Sequence, residues 1–350
     1  MANINAYPRF LVFYTTFRCN SRCKACNVWK GNDAEKQKEE LTVEQIDKIF
    51  SDSLFSRLEH INVQGGEATL RDDLAEIIEV IIRRTPSLQR IGLTSNGLNT
   101  ERVTEQVRRL YEVCRKHGIK FSVGFSIDGV GKYHDFARGK DAFKRVSKSI
   151  EALSGMNELP GFHLGTNCVL TARNIENLDE IIKFQREVFN TFNITVVEFR
   201  EHFLNEEDSP EGKMLLFTEN PKERQILFSY LKNHNYPNKF SNFMTFRHEQ
   251  LRAMLEDNAT RTQSCQYKIT GLVLDHRGIL MLCPIGGHLG SCLERTPSEV
   301  YFSGNTKTIR KEMCRTKCRW CYPYNFYENE RAKDFAKYVW FFLRSRLRRR

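Results

Sequence analysis

Over the first two hundred residues of this 350-residue chain, short β-branched or aromatic runs alternate with longer helical patterns. Stretches 9–16, 58–64, 88–95, 119–127, 161–170 and 193–200 read as strands, and 42–54, 73–84, 101–117, 141–154 and 176–188 as helices. The segment "DLAEIIEVIIRR" (73–84) shows the helical rule, with apolar residues at i, i+3, i+4 and i+7. Six strands separated by helices predict parallel β/α units, and so an α/β fold: an open sheet or a partial (β/α)6 barrel. Ligands in such folds bind where strands run into loops. After Arg200 the alternation stops. Residues 205–260 read as helical with polar connections, "YKITGLVLDHRGILMLC" (267–283) reads as a hairpin turning at Asp275–Gly278, and a Cys-rich remainder reads as irregular until a last helix.

Composition narrows the class. No run of about 18 apolar residues exists to span a membrane, and "MANINAYPRFLVFYTT" lacks the basic start and long apolar segment of a secretion signal. The 11 cysteines are therefore expected in a reducing, cytoplasmic setting, where clustered thiols bind metal or do redox chemistry more often than they form disulfides. Of the net charge of +11, residues 333–350 carry 6 through seven Lys or Arg against Asp334. The body is only mildly basic, so nucleic acid is not the expected partner.

Cys19, Cys23 and Cys26 follow the first strand directly. Three thiols are an odd number for disulfides and one short of a closed tetrahedral zinc site. They suffice for three irons of a [4Fe–4S] cube, leaving the fourth iron open. A zinc knuckle or plainly buried cysteines are the alternatives; a zinc site wants a fourth Cys or His nearby, and none precedes His60. The later strand ends are also polar and glycine-rich. Strand two ends in Gly65, Gly66 and Glu67, strand three in "TSNG" with Asn96, and strand four in "FSIDG" with Ser126 and Asp128, followed by "HDFARG" with Arg138.

In order and in content, CxxxCxxC, GGE and S-x-D-G over residues 9–325 resemble the radical S-adenosylmethionine (SAM) enzymes, in particular members with an extra C-terminal cluster domain. The resemblance implies a partial (β/α)6 barrel in which a [4Fe–4S] cluster on Cys19, Cys23 and Cys26 binds SAM at its open iron. It implies reductive cleavage of SAM to methionine and a 5′-deoxyadenosyl radical that abstracts a substrate hydrogen, with flavodoxin or ferredoxin as reducing partner. Gly65 and Gly66 would let the backbone approach the methionine part. Glu67 would meet its ammonium, Ser126 its ribose or carboxylate, and Arg138 its carboxylate, with Asn96 and Asp128 as further cofactor-binding candidates. The bland reading of Arg138 is a solvated surface charge. Relatives usually carry an aromatic residue before the third cysteine; here Ala25 stands there, so no side chain is assigned to the adenine.

The C-terminal cysteines resemble the twitch domain of these enzymes, or its larger relative, the SPASM domain. By that resemblance Cys265, Cys283, Cys318 and Cys321 hold one auxiliary [4Fe–4S] cluster, with Cys314 and Cys292 as alternates and structural zinc as the competing reading. Cys114 and Cys168 read as small buried hydrophobes. His134 and His202, with Glu198 and Arg200, are candidates to face the substrate. The expected domains are 1–204, the core barrel; 205–260, a helical bridge; 261–328, the auxiliary domain; and 329–350, a basic amphipathic helix. That helix suits either packing on the barrel or contact with an anionic membrane surface, which would make the protein peripheral to the inner face of a membrane.

The auxiliary cluster implies a net oxidation of a small-molecule, sugar or lipid-linked substrate. Peptide modification is the alternative; only about eight residues precede the first strand, which leaves no room for a leader-binding domain. The molybdopterin-pathway relative is disfavoured because Arg348–Arg350 replaces its di-glycine tail. A non-catalytic Fe–S scaffold, or a zinc protein binding RNA through the basic tail, is the reading from another class.

Overall fold

The computed structural model describes residues 7–189, 192–197, 209–233, 250–256, 265–316, 318, 321 and 339–340. Strands β1 (Phe10–Tyr14), β2 (His60–Gln64), β3 (Arg90–Ser95), β4 (Lys120–Ser126), β5 (Phe162–Leu170) and β6 (Phe192–Val196) pair in parallel and in sequence order. Strand β7 (Gly271–Leu274) pairs parallel to the free edge of β1, and β8 (Ile279–Cys283) and β9 (Gly286–Ser291) continue antiparallel, giving nine strands in the order 6-5-4-3-2-1-7-8-9. The expected parallel β/α core is what forms.

β1 explains why its sequence is apolar throughout. "FLVFY" is buried on both faces because it is a central strand with a packed apolar cluster against each face of the sheet. Side chains alternate across a strand. Leu11 and Phe13 join the main core under the helices, whereas Phe10, Val12 and Tyr14 face inward with Tyr267, Val273 and Met281. The same alternation on the other strands brings Asn62, Gln64, Thr94, Ser126, Asn167, Val169 and Thr195 around one interior cavity, so the sheet curls about it.

The outer layer is α1 (Asp33–Lys38), α2 (Val43–Phe50), α3 (Leu74–Arg84), α4 (Thr100–Lys116), α5 (Lys132–Arg138), α6 (Ala142–Leu153), α7 (Leu178–Val188), α8 (Pro210–Leu215) and α9 (Pro221–Asn233). α3 buries Leu74, Ile77, Ile78 and Ile81 on one stripe, as its periodicity predicts. α1 and α5 were not expected: α1 buries no residue and α5 only His134, so neither shows an apolar period.

The 267–283 hairpin forms with its turn at Asp275, whose carboxylate accepts from the backbone N–H groups of Arg277 and Ile279 at 2.9 and 2.8 Å. The stretch expected to be irregular contains two helices, α10 (Pro297–Tyr301) and α11 (Gly304–Thr316). α10 begins in a reciprocal capping box between Thr296 and Glu299 with proline in its first turn, a signal present in "TPSEVY" that an eye on cysteines passes over. Of the expected C-terminal helix only residues 339–340 are described, as helical. Among the described residues no helix is long and apolar enough to cross a membrane.

Candidate active site

The loop after β1 is held from two sides. On one, the β2 loop runs alongside it: Gly66 N–H donates to Thr16 O at 2.7 Å and Glu67 N–H to Arg18 O at 2.8 Å. A Cβ on Gly65 would lie 2.3 Å from Thr16 O, and one on Gly66 2.2 Å from Arg18 O. The glycines are thus required by the approach of the two backbones to each other. On the other side, Lys24 N–H donates to Ala137 O and Ser21 Oγ to Arg138 O, so the last carbonyls of α5 are satisfied by the cysteine loop. Arg18 and Glu40 pair at 2.8 Å beneath the loop, and buried Arg71 donates to Thr15 O at 3.0 Å.

So held, Cys19, Cys23 and Cys26 line a cavity of about 350 Å³ with Gly65, Gly66, Asn96, Ser126, Asp128 and Arg138. Burial pushes the thiols of Cys19 and Cys26 up to about 12, and neighbouring thiols add to this. Arg138 is the fixed cation at this wall. Its Nε donates to Asp128 Oδ2 at 2.7 Å, and Nη1 lies 3.8 Å from Cys23 Sγ. Burial opposes its charge, but Asp128 and the thiols hold the guanidinium protonated well above its ordinary value. The solvated-surface reading of Arg138 is wrong.

Two of the expected site residues stand behind the cavity wall. Glu67 is 1% exposed and does not line the cavity. Its carboxylate accepts from Thr69 Oγ1 at 2.7 Å, Ser95 Oγ at 2.9 Å and Asn96 N–H at 2.7 Å, and burial pushes its pKa up against those bonds. It ties the ends of β2 and β3 together behind the wall, with Oε1 taking the two hydroxyls and Oε2 the Asn96 N–H. His134 is fully buried and does not face the substrate cavity. Its Nδ1 accepts from Asp128 N–H at 3.1 Å, and burial, then Arg138, lower it to about 4, so it is neutral. Asn96 lines the cavity with its amide already committed, Nδ2 to Asn20 Oδ1 at 2.8 Å and Oδ1 accepting from Leu98 N–H at 2.9 Å. Glu198, Arg200 and His202 lie outside the described residues.

The far wall of the cavity was not foreseen from the sequence. Asn167, Thr171, Arg173 and Asn174 at the end of β5 also line the cavity. Asn174 Nδ2 donates to Asp128 O at 2.7 Å, which joins the β4 and β5 ends. Polar residues in "TARN" just beyond a strand are the signal that could have pointed there.

Among the described residues no three His, Cys, Asp or Glu side chains close on a point as they would for one metal ion. The three thiols share the lining of one cavity. The match to the radical SAM superfamily model over residues 13–185 decides the family. Residues 13–185 are a radical SAM domain. Such a domain implies SAM and a [4Fe–4S] cluster as cofactors, and an enzyme.

Curated relatives of this chain include the GTP 3′,8-cyclase of Alkaliphilus oremlandii, 30% identical over 142 residues, which is 40% of this chain and 39% of that protein. The mycofactocin maturase MftC of Mycolicibacterium smegmatis is 26% identical over 192 residues, 54% of this chain and 44% of that protein. The matches thus span less than half of either relative. Among solved structures, anSMEcpe with bound AdoMet and Kp18Cys peptide superposes at TM-score 0.59 with 16% identity, covering 94% of this chain and 98% of that one. SuiB of Streptococcus suis bound to S-adenosylmethionine does so at 0.57 with 14% identity, covering 87% and 68%. At such identities the likeness is one of fold.

A second group of thiols stands on the β8 side of the sheet. Cys265, Cys283, Cys314, Cys318 and Cys321 line one small pocket with Tyr267, Lys268 and Arg310. Cys318 N–H donates to Met313 O at 2.8 Å, which folds the end of α11 back over the pocket. Cys292 is not brought there: it is buried in the main core, and its N–H donates to Gly278 O at 2.8 Å. Cys114 and Cys168 are core residues, 0% exposed.

Proposed function

We propose that the chain is a radical SAM oxidoreductase that abstracts hydrogen from a small-molecule, sugar or lipid-linked substrate and passes an electron to an auxiliary iron–sulfur centre. When bound, the cluster on Cys19, Cys23 and Cys26 supplies the electron that splits the SAM sulfonium into methionine and a 5′-deoxyadenosyl radical. The protein's part is to hold and shield. Arg138, fixed by Asp128, is the fork available to a carboxylate, and its charge offsets the thiolates beside it. The apolar wall of Phe10, Val12 and Tyr14 excludes water from one side. Asn62, Gln64, Thr94, Asn167 and Thr195 present amides and hydroxyls on the others, a lining suited to a hydroxylated substrate. The observation that carries the reading is the single cavity shared by the three thiols, the GG loop and the Asp128–Arg138 pair.

The ligand set of Cys265, Cys283, Cys318 and Cys321, with Cys314 as the alternate, is proposed for one auxiliary [4Fe–4S] cluster of the twitch or SPASM kind. A sink for one electron there favours net oxidation: a substrate radical beside a hydroxyl loses that electron and the hydroxyl proton and leaves a carbonyl. Flavodoxin or ferredoxin is the proposed electron donor. The alternative reading, peptide modification, draws on the fold likeness to structures that hold a peptide.

The test is anaerobic reconstitution with iron and sulfide counted and 5′-deoxyadenosine assayed. About eight irons in the parent, about four and no cleavage in a variant lacking Cys19, Cys23 and Cys26, is the expected result. About four irons with cleavage in the parent removes the auxiliary cluster and the oxidation with it. No iron and no cleavage sinks the whole reading.

A further inference from the structure

Within the second thiol pocket stands a charge that nothing so far accounts for. Arg310 on α11 is 8% exposed and lines the pocket. Its Nη1 donates to the carbonyls of Tyr267 and Lys268 at 3.2 and 2.7 Å, and Nη2 to Tyr301 Oη at 3.3 Å. Its Nε is buried with no hydrogen-bond partner. All three partners are neutral, and no carboxylate lines the pocket among the described residues. Lys268 adds a second cation on the same wall. A buried guanidinium without a counter-charge is strongly destabilising, and an uncompensated N–H adds to that. The balancing charge is at hand only if the thiols are ionised on a metal centre, since four thiolates around an iron–sulfur cube make a net anion.

We infer that Arg310 is the built-in counter-ion of the auxiliary centre and holds its reduction potential high, so that the centre accepts an electron rather than donates one. This rests on the reading of the five cysteines as a cluster site given above. The physics is direct. Reduction adds one negative charge to the centre, and a fixed cation in a low-dielectric pocket stabilises the more negative state. Lys268, half-buried, contributes in the same direction. Arg310 is thus a positioning and tuning residue and touches no substrate atom.

The experiment uses the full chain, anaerobically reconstituted, with Cys19, Cys23 and Cys26 replaced by alanine so that only the second centre reports. Its potential is titrated by electron paramagnetic resonance in the Arg310 parent, in Arg310→Gln and in Arg310→Lys. Arg310→Gln is expected to disfavour reduction at least tenfold, a drop of about 59 mV for a one-electron couple, and Arg310→Lys to stay near the parent. A purely structural Arg310, needed only for its carbonyl bonds, would lower the iron content of both variants and leave the potential of the remaining clusters unmoved; that result overturns the proposal. Should Arg310→Gln hold no iron, Arg310→Lys decides, since a tenfold fall with the charge retained is equally fatal. A parent without iron in this background sinks the cluster reading itself. A parent with iron and an Arg310→Gln potential equal to its own sinks only the role of Arg310.

Discussion

Replacing Glu67 by alanine tests whether this residue binds a ligand or builds the wall. The carboxylate is buried and receives Thr69 Oγ1, Ser95 Oγ and Asn96 N–H. The two hydroxyls can turn elsewhere, and Ser95 Oγ already accepts from Gly97 N–H at 3.0 Å. Asn96 N–H cannot. At about 1–3 kcal/mol for each buried group left unsatisfied, and allowing partial rescue of the hydroxyls, the loss comes to about 3–5 kcal/mol. At about 2.1 cal/mol/K of unfolding entropy per residue, that corresponds for a chain of this size to a fall of roughly 4–7 °C in Tm. Glu67→Gln keeps the shape but turns one acceptor oxygen into a donor among donors, so it should cost about half as much. The assay is thermal and urea unfolding of both variants, beside calorimetric titration of SAM on the reconstituted protein. A Glu67→Gln variant as stable as the parent, but binding SAM tenfold more weakly, would show the carboxylate meeting the ammonium and refute the scaffold role.

Other perturbations separate the remaining roles. Gly66→Ala forces a Cβ to within 2.2 Å of Arg18 O, so it should cost about 3 kcal/mol or more and abolish iron binding at the first loop, whereas Gly155→Ala, with open space around it, should be near neutral by urea midpoint and iron count. His134 is neutral in the fold with its pKa at about 4, below the ordinary 6.5, so its contribution is complete above pH 6.5 and is lost as pH falls towards 4 because the unfolded chain takes the proton. That contribution is up to about 3 kcal/mol, and buried His60, also lowered to about 4, acts in the same sense. Urea midpoints between pH 7.5 and 4.5 should fall accordingly, and His134→Asn, which keeps an acceptor for Asp128 N–H, should flatten part of the slope; a flat parent profile would contradict it. Cys292→Ala should lower stability and leave the iron content at the parent level, while Cys265→Ala should lower the iron content.

The six parallel strands and the site's position at their ends were legible because burial imposes a period on the chain. "FLVFY" had to be enclosed on both faces, and "DLAEIIEVIIRR" had to show one stripe to the core. The cysteine loop was legible because its ligand spacing is local. What escaped is what depends on direction. His134 and Glu67 were rightly placed near the site, but sequence does not say which side of the wall a polar group faces, and both turn inward to hold backbone N–H groups. α5 escaped because its end is completed by carbonyl acceptors for the distant residues Ser21 and Lys24, a partnership with no local pattern. Gly65 and Gly66 have a neighbour that sequence does not reveal, since a Cβ on either would clash with the backbone of the cysteine loop.

Tyr267 lines both the cavity and the second thiol pocket, with its ring edge-on to Phe10 at 5.8 Å and Gly271 leaving room beside it. A partition one side chain thick makes the two compartments share their fate during maturation. If the second pocket holds the proposed cluster, the ring that packs against it also shapes the cavity, and substrate affinity should differ between protein loaded at both cysteine groups and protein loaded at the first alone.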